Sequence, residues 1–269
     1  MAHHRVKNGE LVKASRFQVA LDSLLHSVKH LNLRIFDAEI RLFLKLRAKP
    51  VLWLHSHLVA SVRHPGGEMV TTERALDFID AISVLDKSEI AVGPCVCQKA
   101  LKRRNGTHIK NMEIRYGAAA HKGAISQEYR DLNPGEAKEL LLKFREEGLM
   151  HSFYTHCLEE GGRLYTICNC ESKICIPVRA QKAAGGVLSP GPDVVSLNSD
   201  ECVGCGACVE RCHLGTNKLV KGICQVDITK CHGCGVCIPT CKGQARKMSE
   251  RAGYHPVYYP MELVNKATA

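Results

Sequence analysis

An α+β protein is predicted, with a helical N-terminal part, a cysteine-bearing α/β middle domain and a small cysteine-rich module toward the C-terminus. Three observations predict it. Apolar residues recur at helical spacing before residue 63. Short strand-like runs alternate with helix-start signals between residues 90 and 170. The cysteines are concentrated: none precedes Cys95, and nine of the fifteen lie between Cys202 and Cys241.

Taken in order, residues 14–62 read as helical. Val19, Leu21, Leu24, Leu25, Val28 and Leu31 begin the stripe, and Ile35, Ile40, Leu42, Phe43, Leu44 and Leu46 continue it up to Pro50. Residues 51–62 are apolar but hold His55, Ser56 and His57. They are too short and too polar to cross a bilayer, so a core helix is expected, with a membrane-surface or partner-binding helix as the alternative. Pro65-Gly66-Gly67 is a turn, after which Thr71 or Thr72 caps a helix to about Leu85. Ile90-Ala91-Val92 is a strand leading into Cys95-x-Cys97. Asn133-Pro134-Gly135-Glu136 starts a helix that Gly148 ends. Residues 150–156 and 163–168 then flank Glu160-Gly161-Gly162 as a hairpin. Helix plus hairpin describes a winged-helix unit or a generic α/β packing unit, and the generic unit is favoured. The implied division is a helical region over 1–89, a middle domain over 90–181, a linker rich in Gly, Pro and Ser over 182–199, the cysteine-rich module over 200–247 and a tail over 248–269.

The formal charge of +10 is spread evenly. Residues 1–94 hold 13 basic and 10 acidic groups, residues 95–198 hold 15 and 11, and residues 199–269 hold 9 and 6. No domain is basic enough to suggest a nucleic-acid partner. The densest run, Lys102-Arg103-Arg104, reads as a solvated helix face. An odd cysteine count suits no closed disulfide framework. Thiols kept for metal imply a reducing compartment, so a cytoplasmic location is expected.

The strongest signal is an internal repeat. Cys202-x2-Cys205-x2-Cys208-x3-Cys212 recurs as Cys231-x2-Cys234-x2-Cys237-x3-Cys241. A cubane needs four thiolates around one compact object, and three from a tight loop plus one from a distant segment supply them. Gly204, Gly206, Gly233 and Gly235 let each loop curl closely. Four-cysteine zinc sites are the alternative reading of such spacing. Residues 200–247 resemble a bacterial-type ferredoxin with two [4Fe–4S] clusters, a pseudo-symmetric pair of small hairpins and helices that transfers single electrons. In that arrangement the fourth Cys of each run ligates the other cluster. The resemblance thus implies Cys202, Cys205, Cys208 and Cys241 for one cluster, and Cys231, Cys234, Cys237 and Cys212 for the other. The residue after each run is commonly Pro in that family but is His213 or Lys242 here. Lys242, and His213 when protonated, would set a cation beside a cluster.

Residues 72–247 are similar to a family of uncharacterised dicluster ferredoxin-like proteins of anaerobes. The likeness rests on Gly93-Pro94-Cys95-Val96-Cys97, on the helix ending Glu147-Gly148-Leu149 and on Ile167-Cys168-Asn169-Cys170. Members often carry a denser cysteine run after Cys-Asn-Cys, which thins here to Glu171, Ser172, Lys173 and Ile174 before Cys175. Cys95, Cys97, Cys168, Cys170 and Cys175 are therefore candidates for a third [4Fe–4S] cluster, a structural Zn²⁺, or free packing thiols. Cys157 reads as a small core residue, and His151 and His156 as packing residues rather than ligands. Tyr254 to Pro260 suits either docking in an extended conformation or folding back over the chain's own domain.

No phosphate-loop, kinase, hydrolase or dinucleotide signature is present, and no substrate site is legible. The expected function is single-electron transfer through two [4Fe–4S] clusters to or from a partner oxidoreductase. The alternatives are a catalytic or redox-sensing protein using a third cluster, and a winged-helix regulator that uses clusters as sensors.

Overall fold

The computed structural model describes residues 4–7, 10–13, 29–46, 50–51, 53–54, 66–85, 88–116, 128–157, 163–260 and 264. In chain order the elements are β1 (His4–Lys7), β2 (Glu10–Lys13), α1 (Lys29–Lys45), β3 (Gly66–Val70), α2 (Thr72–Ser83), β4 (Ser88–Pro94), α3 (Val96–Leu101), β5 (Ile109–Tyr116), β6 (Arg130–Leu132), α4 (Pro134–Glu146), β7 (Met150–Cys157), β8 (Arg163–Cys170), α5 (Ile176–Ala184), β9 (Leu188–Ser189), β10 (Asp193–Leu197), α6 (Ala207–Arg211), β11 (Asn217–Val220), β12 (Ile223–Val226) and β13 (Arg246–Glu250). Helices and strands are mixed, as an α+β chain requires.

Seven strands form one sheet in the order β6-β4-β5-β8-β7-β3-β9. All neighbours are antiparallel except β3 and β9. Side chains alternate across a strand, so each strand feeds two different cores. Val70, Ile90, Val92, Met112, Ile114, Phe153, Tyr165 and Ile167 point to one face and pack against Phe78, Ile79 and Ile82 of α2 and Ala137 and Leu141 of α4. The opposite face carries Met69, Met150, Cys168 and Cys170, which meet Cys175 and Val178 at the start of α5. Behind α5, α1 buries Ile40 against Ile176, Ala180 and Val187. Buried Asp37 fixes that contact through Arg179, and Arg41 reaches the same carboxylate at 2.9 Å.

The helix boundaries follow local chemistry. Thr71 caps α2, its side chain accepting from Arg74 N at 3.2 Å. Asn133 and Glu136 form a capping box with two 2.9 Å bonds, and Pro134 fits the first turn, where no amide donor is needed. Gly148, at φ +83°, ends the α4 turn in the left-handed region that favours glycine. No described helix is long and apolar enough to cross a membrane.

Several expected boundaries are corrected. The N-terminal region is not wholly helical: β1 pairs with β2, and β3 and the start of β4 belong to the main sheet. The described part of the long helical stretch is α1 with residues 50, 51, 53 and 54, and residues 14–28 and 55–62 lie outside the described residues. Residues 182–199 are not a linker, because they complete α5 and contribute β9 and β10. The middle domain therefore extends beyond 90–181 at both ends: β3 and β9 are hydrogen-bonded neighbours in its sheet. The β7–β8 hairpin lies inside this sheet, β8 against β5 and β7 against β3, and so has neither free edge of a wing.

The tail folds back. Buried Glu68 accepts from the Tyr254 hydroxyl and from the backbone amides of Val257 (3.1 Å), Tyr258 (2.6 Å) and Tyr259 (2.8 Å). Tyr259 then enters the α2–α4 core and donates to Arg74 O at 2.8 Å. A buried carboxylate is tolerated when its lone pairs are satisfied in this way.

His151 sits on the same face, bridging Thr72 Oγ1 (2.9 Å) and Asn169 Oδ1 (2.6 Å). Full burial lowers its pKa to about 4. The folded form therefore binds fewer protons than the unfolded chain between pH about 4 and 6.5, and stability falls as pH drops through that window. Between pH 7 and pH 5 this one group is expected to remove about 2 kcal/mol. Half-buried His213 and buried His232 act in the same direction. Urea unfolding at the two pH values should show a smaller pH difference in His151→Gln than in the parent, and an equal difference would contradict the assignment.

Candidate metal centre

Two antiparallel pairs frame the C-terminal module. β10 pairs with β13 from Asp193↔Glu250 to Leu197↔Arg246, and β11 pairs with β12. The cysteine repeats occupy the loops between them. Gly204 and Gly233 hold equivalent places in the two repeats, at φ +66° and +77°. A Cβ there would come within 2.3 Å of Gly222 O and 1.9 Å of Asp193 O, so a larger residue would force the loops apart.

The eight repeat cysteines divide between two cavities. Cys202, Cys205, Cys208 and Cys241 line one, and Cys231, Cys234, Cys237 and Cys212 line the other. The last cysteine of each repeat thus joins the first three of the other, because the chain crosses between the halves. Cys205 is exposed, whereas Cys208 and Cys237 are buried. The Cys202 thiol is drawn down by amides of Cys224 and Gly204. Burial pushes the Cys208 thiol up to about 11, helped by its contact with Cys224.

Two residues that the repeat does not announce lie among these cysteines. Cys224 is the ninth cysteine of the 202–241 stretch, and its Sγ lies 3.4 Å from Cys208 Sγ. Arg246 is 3% exposed and donates to Cys224 Sγ (2.8 Å), Cys237 Sγ (3.3 Å) and Asn217 Oδ1 (3.3 Å). It also lines the cavity of Cys202, Cys205, Cys208 and Cys241. Among the described residues no carboxylate pairs with it. Desolvation alone would lower its pKa, yet the thiols of Cys237, Cys208 and Cys224 raise it. The sequence signal was the unassigned ninth cysteine, whereas Arg246 had none.

His213 is held between domains. Ser172 N donates to its Nδ1 at 3.2 Å, which leaves Nε2–H to donate to Gly148 O at 2.7 Å. Burial lowers its pKa. The expected cation is therefore a neutral imidazole that joins the module to the sheet, while Lys242 is exposed. Arg211 donates to Arg145 O and Glu146 O, both at 2.7 Å. Arg251 reaches Gly191 O, Asp193 O and Cys231 O between 2.8 and 2.9 Å.

The central cysteines come together on the sheet face next to this module. Cys168 and Cys170 alternate onto one face of β8, while Cys95 and Cys175 occupy the N-caps of α3 and α5. Cys97 contacts Cys175, Cys175 contacts Cys170, and Cys170 contacts Cys168. Cys168 Sγ also donates to Asn111 Oδ1 at 3.0 Å. Amides of Ile176, Val178 and Gln98 point at Cys97, Cys175 and Cys95 and favour their thiolates. Interaction with Cys175 and burial still raise Cys97 well above the usual thiol range, as interaction with Cys170 and burial do Cys175. Glu171 shapes the connecting loop, accepting from the amides of Lys173 and Ile174. Cys97, Cys168, Cys170 and Cys175 share one apolar cluster with Cys234 and Leu214 of the module.

A tetrahedral zinc site places its thiolates about 3.8 Å apart, given a Zn–S bond of about 2.3 Å. Among the described residues no three His, Cys, Asp or Glu side chains converge to hold a single ion. A cubane spreads its four thiolates over four irons and makes no such demand on any three sulfurs. His151 is a hydrogen-bonded core residue rather than a ligand; the side chains of Cys157 and His156 lie outside the described residues. No family model, curated protein or solved structure matches the chain.

Proposed function

We propose that this chain is an iron–sulfur electron-transfer protein or redox-complex subunit, with one [4Fe–4S] cluster on Cys202, Cys205, Cys208 and Cys241 and another on Cys231, Cys234, Cys237 and Cys212. The observation that carries the reading is buried Arg246. A guanidinium does not deprotonate in proteins, and burying it without an anion costs several kcal/mol. It donates to the sulfurs of Cys237, from one set, and of Cys224, and it borders the cavity of the other set near Cys208; among the described residues no carboxylate pairs with it. Two anionic occupants of the adjoining cavities would supply the missing charge.

A [4Fe–4S] group held by four thiolates supplies a one-electron couple and a net negative charge. The chain's own residues do the rest. Glycines at positive φ let the loops close around each cavity. Arg246 favours whichever state holds more negative charge, and so raises the potential at both sites. Exposed Cys205 puts one end of the pair at the surface, where a partner oxidoreductase can approach. The evenly spread charge gives no track for nucleic acid, and cysteines held as metal thiolates suit a reducing, cytoplasmic setting.

A second reading adds a third [4Fe–4S] centre at Cys95, Cys97, Cys168, Cys170 and Cys175, with a catalytic or redox-sensing role. The amides directed at three of these thiols favour it, since they stabilise charge that buried packing thiols would not carry.

Anaerobically reconstituted protein is expected to hold about eight irons per chain, or about twelve with the third centre. Zinc filling the module, without cubane absorption or a paramagnetic signal on reduction, would overturn the reading. Cys97→Ser and Cys170→Ser should each remove the same metal increment and leave the module's signals intact; full metal retention in both would leave the central cysteines as packing thiols.

Arg246 gives a sharper test. Unit charges on the order of 8 Å apart interact by about 2 kcal/mol at an effective dielectric of about 20. A tenfold change in a one-electron equilibrium is about 59 mV. Arg246→Gln is therefore expected to lower the potentials by tens of millivolts, and Arg246→Lys to restore most of the loss. Unchanged potentials in Arg246→Gln at full iron content would exclude the guanidinium as a tuning charge.

A further inference from the structure

Beside Cys95 lies a cavity of about 550 Å³ that shares no lining residue with the module's two cavities. That is the size of a small-molecule site. Lys102, Arg103, Arg104 and His108 line it. Lys102 adopts the left-handed conformation at the end of α3, and Arg103 N bonds back to Gln98 O at 3.1 Å. This reversal takes the basic run off the helix, where a solvated face was expected, and wraps it around the cavity. The acid on the wall, Glu128, is paired with Lys99. Among the described residues neither Lys102 nor Arg104 has a carboxylate partner.

Gln98, also in the wall, adds an independent requirement. It is 4% exposed, and its Nε2 donates to Asn105 O (3.0 Å) and Thr107 O (3.3 Å). A flipped amide would turn its oxygen toward two carbonyl oxygens, so the orientation is fixed. Its Oε1 is then a buried acceptor without a partner. Leaving such an acceptor unmet costs about 1–3 kcal/mol. The wall thus asks for negative charge and for one hydrogen-bond donor in the same ligand.

We propose that this cavity binds a small oxyanion carrying its own hydrogen-bond donor, of the hydrogen-phosphate class, seated against Cys95. The oxyanion pairs with Lys102 and Arg104, and its O–H donates to Gln98 Oε1. The inference goes beyond the electron-transfer reading and does not depend on it: the cavity is built whether or not the cysteine sets hold iron. It gives the chain a small-molecule site whose wall is one of the central thiols.

The test is calorimetric titration of the full, anaerobically purified chain at constant ionic strength, with iron content measured in every sample. Inorganic phosphate has charge and an O–H, whereas sulfate has the charge alone. Phosphate is expected to bind saturably at one site per chain, about fivefold more tightly than sulfate, as one hydrogen bond implies. Arg104→Gln should weaken phosphate binding about threefold to tenfold, while Lys138→Gln, on the surface away from the cavity, should change nothing. Gln98→Leu should bring phosphate down to the sulfate level, with circular dichroism confirming the fold. Absent phosphate binding, equal affinity for the two anions, or insensitivity to Arg104→Gln would each overturn the proposal. A polyglutamate peptide binding more tightly than phosphate would also overturn it, in favour of an acidic protein partner. Because iron content is read separately, loss of metal and loss of anion binding are distinguishable.

Discussion

A guanidinium buried to 3% exposure among sulfurs constrains much of what surrounds it. Arg246 is reached by β13, which must pair with β10 to bring it inward, and β10 is anchored to α2 by the Arg74–Asp193 pair at 3.1 Å. Cys208, Cys224 and Cys237 gather around one charge from three separate segments, with Asn217 completing the shell. Moving the arginine into water would relieve its desolvation but leave two thiol sets facing each other without a cation between them. In the proposed reading that cation couples the two sites: a charge gained on one side is felt by the guanidinium, and through it by the other.

Much of this was legible because a repeated cysteine spacing marks equivalent loops along the chain. The two repeats identified eight side chains, and the structure brings them together in two sets of four. Capping signals at Thr71 and at Asn133–Glu136 located two helix starts, because a cap is a local hydrogen bond that needs no tertiary information. The alternation of Cys168 and Cys170 was visible too, although not which face they would share.

What was illegible depended on distance along the chain. Glu68 stands between a turn and a helix cap with no signal of its own, and amides some 190 positions later close over it. The segment after Gln181 reads as a linker, yet Gln181 Oε1 itself accepts from the amides of Val187 and Leu188 and starts β9. Composition shows glycine and proline there but not that their strand adds to a sheet edge begun before residue 71. His213 follows a cysteine in sequence and invites an electrostatic role; its partners Gly148 and Ser172 make it a neutral joint. Arg246 carries no motif at all, and only the third dimension sets it between thiols.

The route of the chain through the sheet also bears on synthesis. The strand at β9 leaves the sheet domain, the module follows, and only then do Tyr258 and Tyr259 return to close over Glu68 and α2. The cysteine-rich stretch is thus an excursion made in the middle of building one core, not an appendix to a finished one. On a ribosome, the hydrophobic interior behind α2 stays open until every cysteine has emerged. In the proposed reading, any agent that loads metal would meet the thiols while the larger domain still lacks its final aromatic plug, so that maturation and folding would share a single interval.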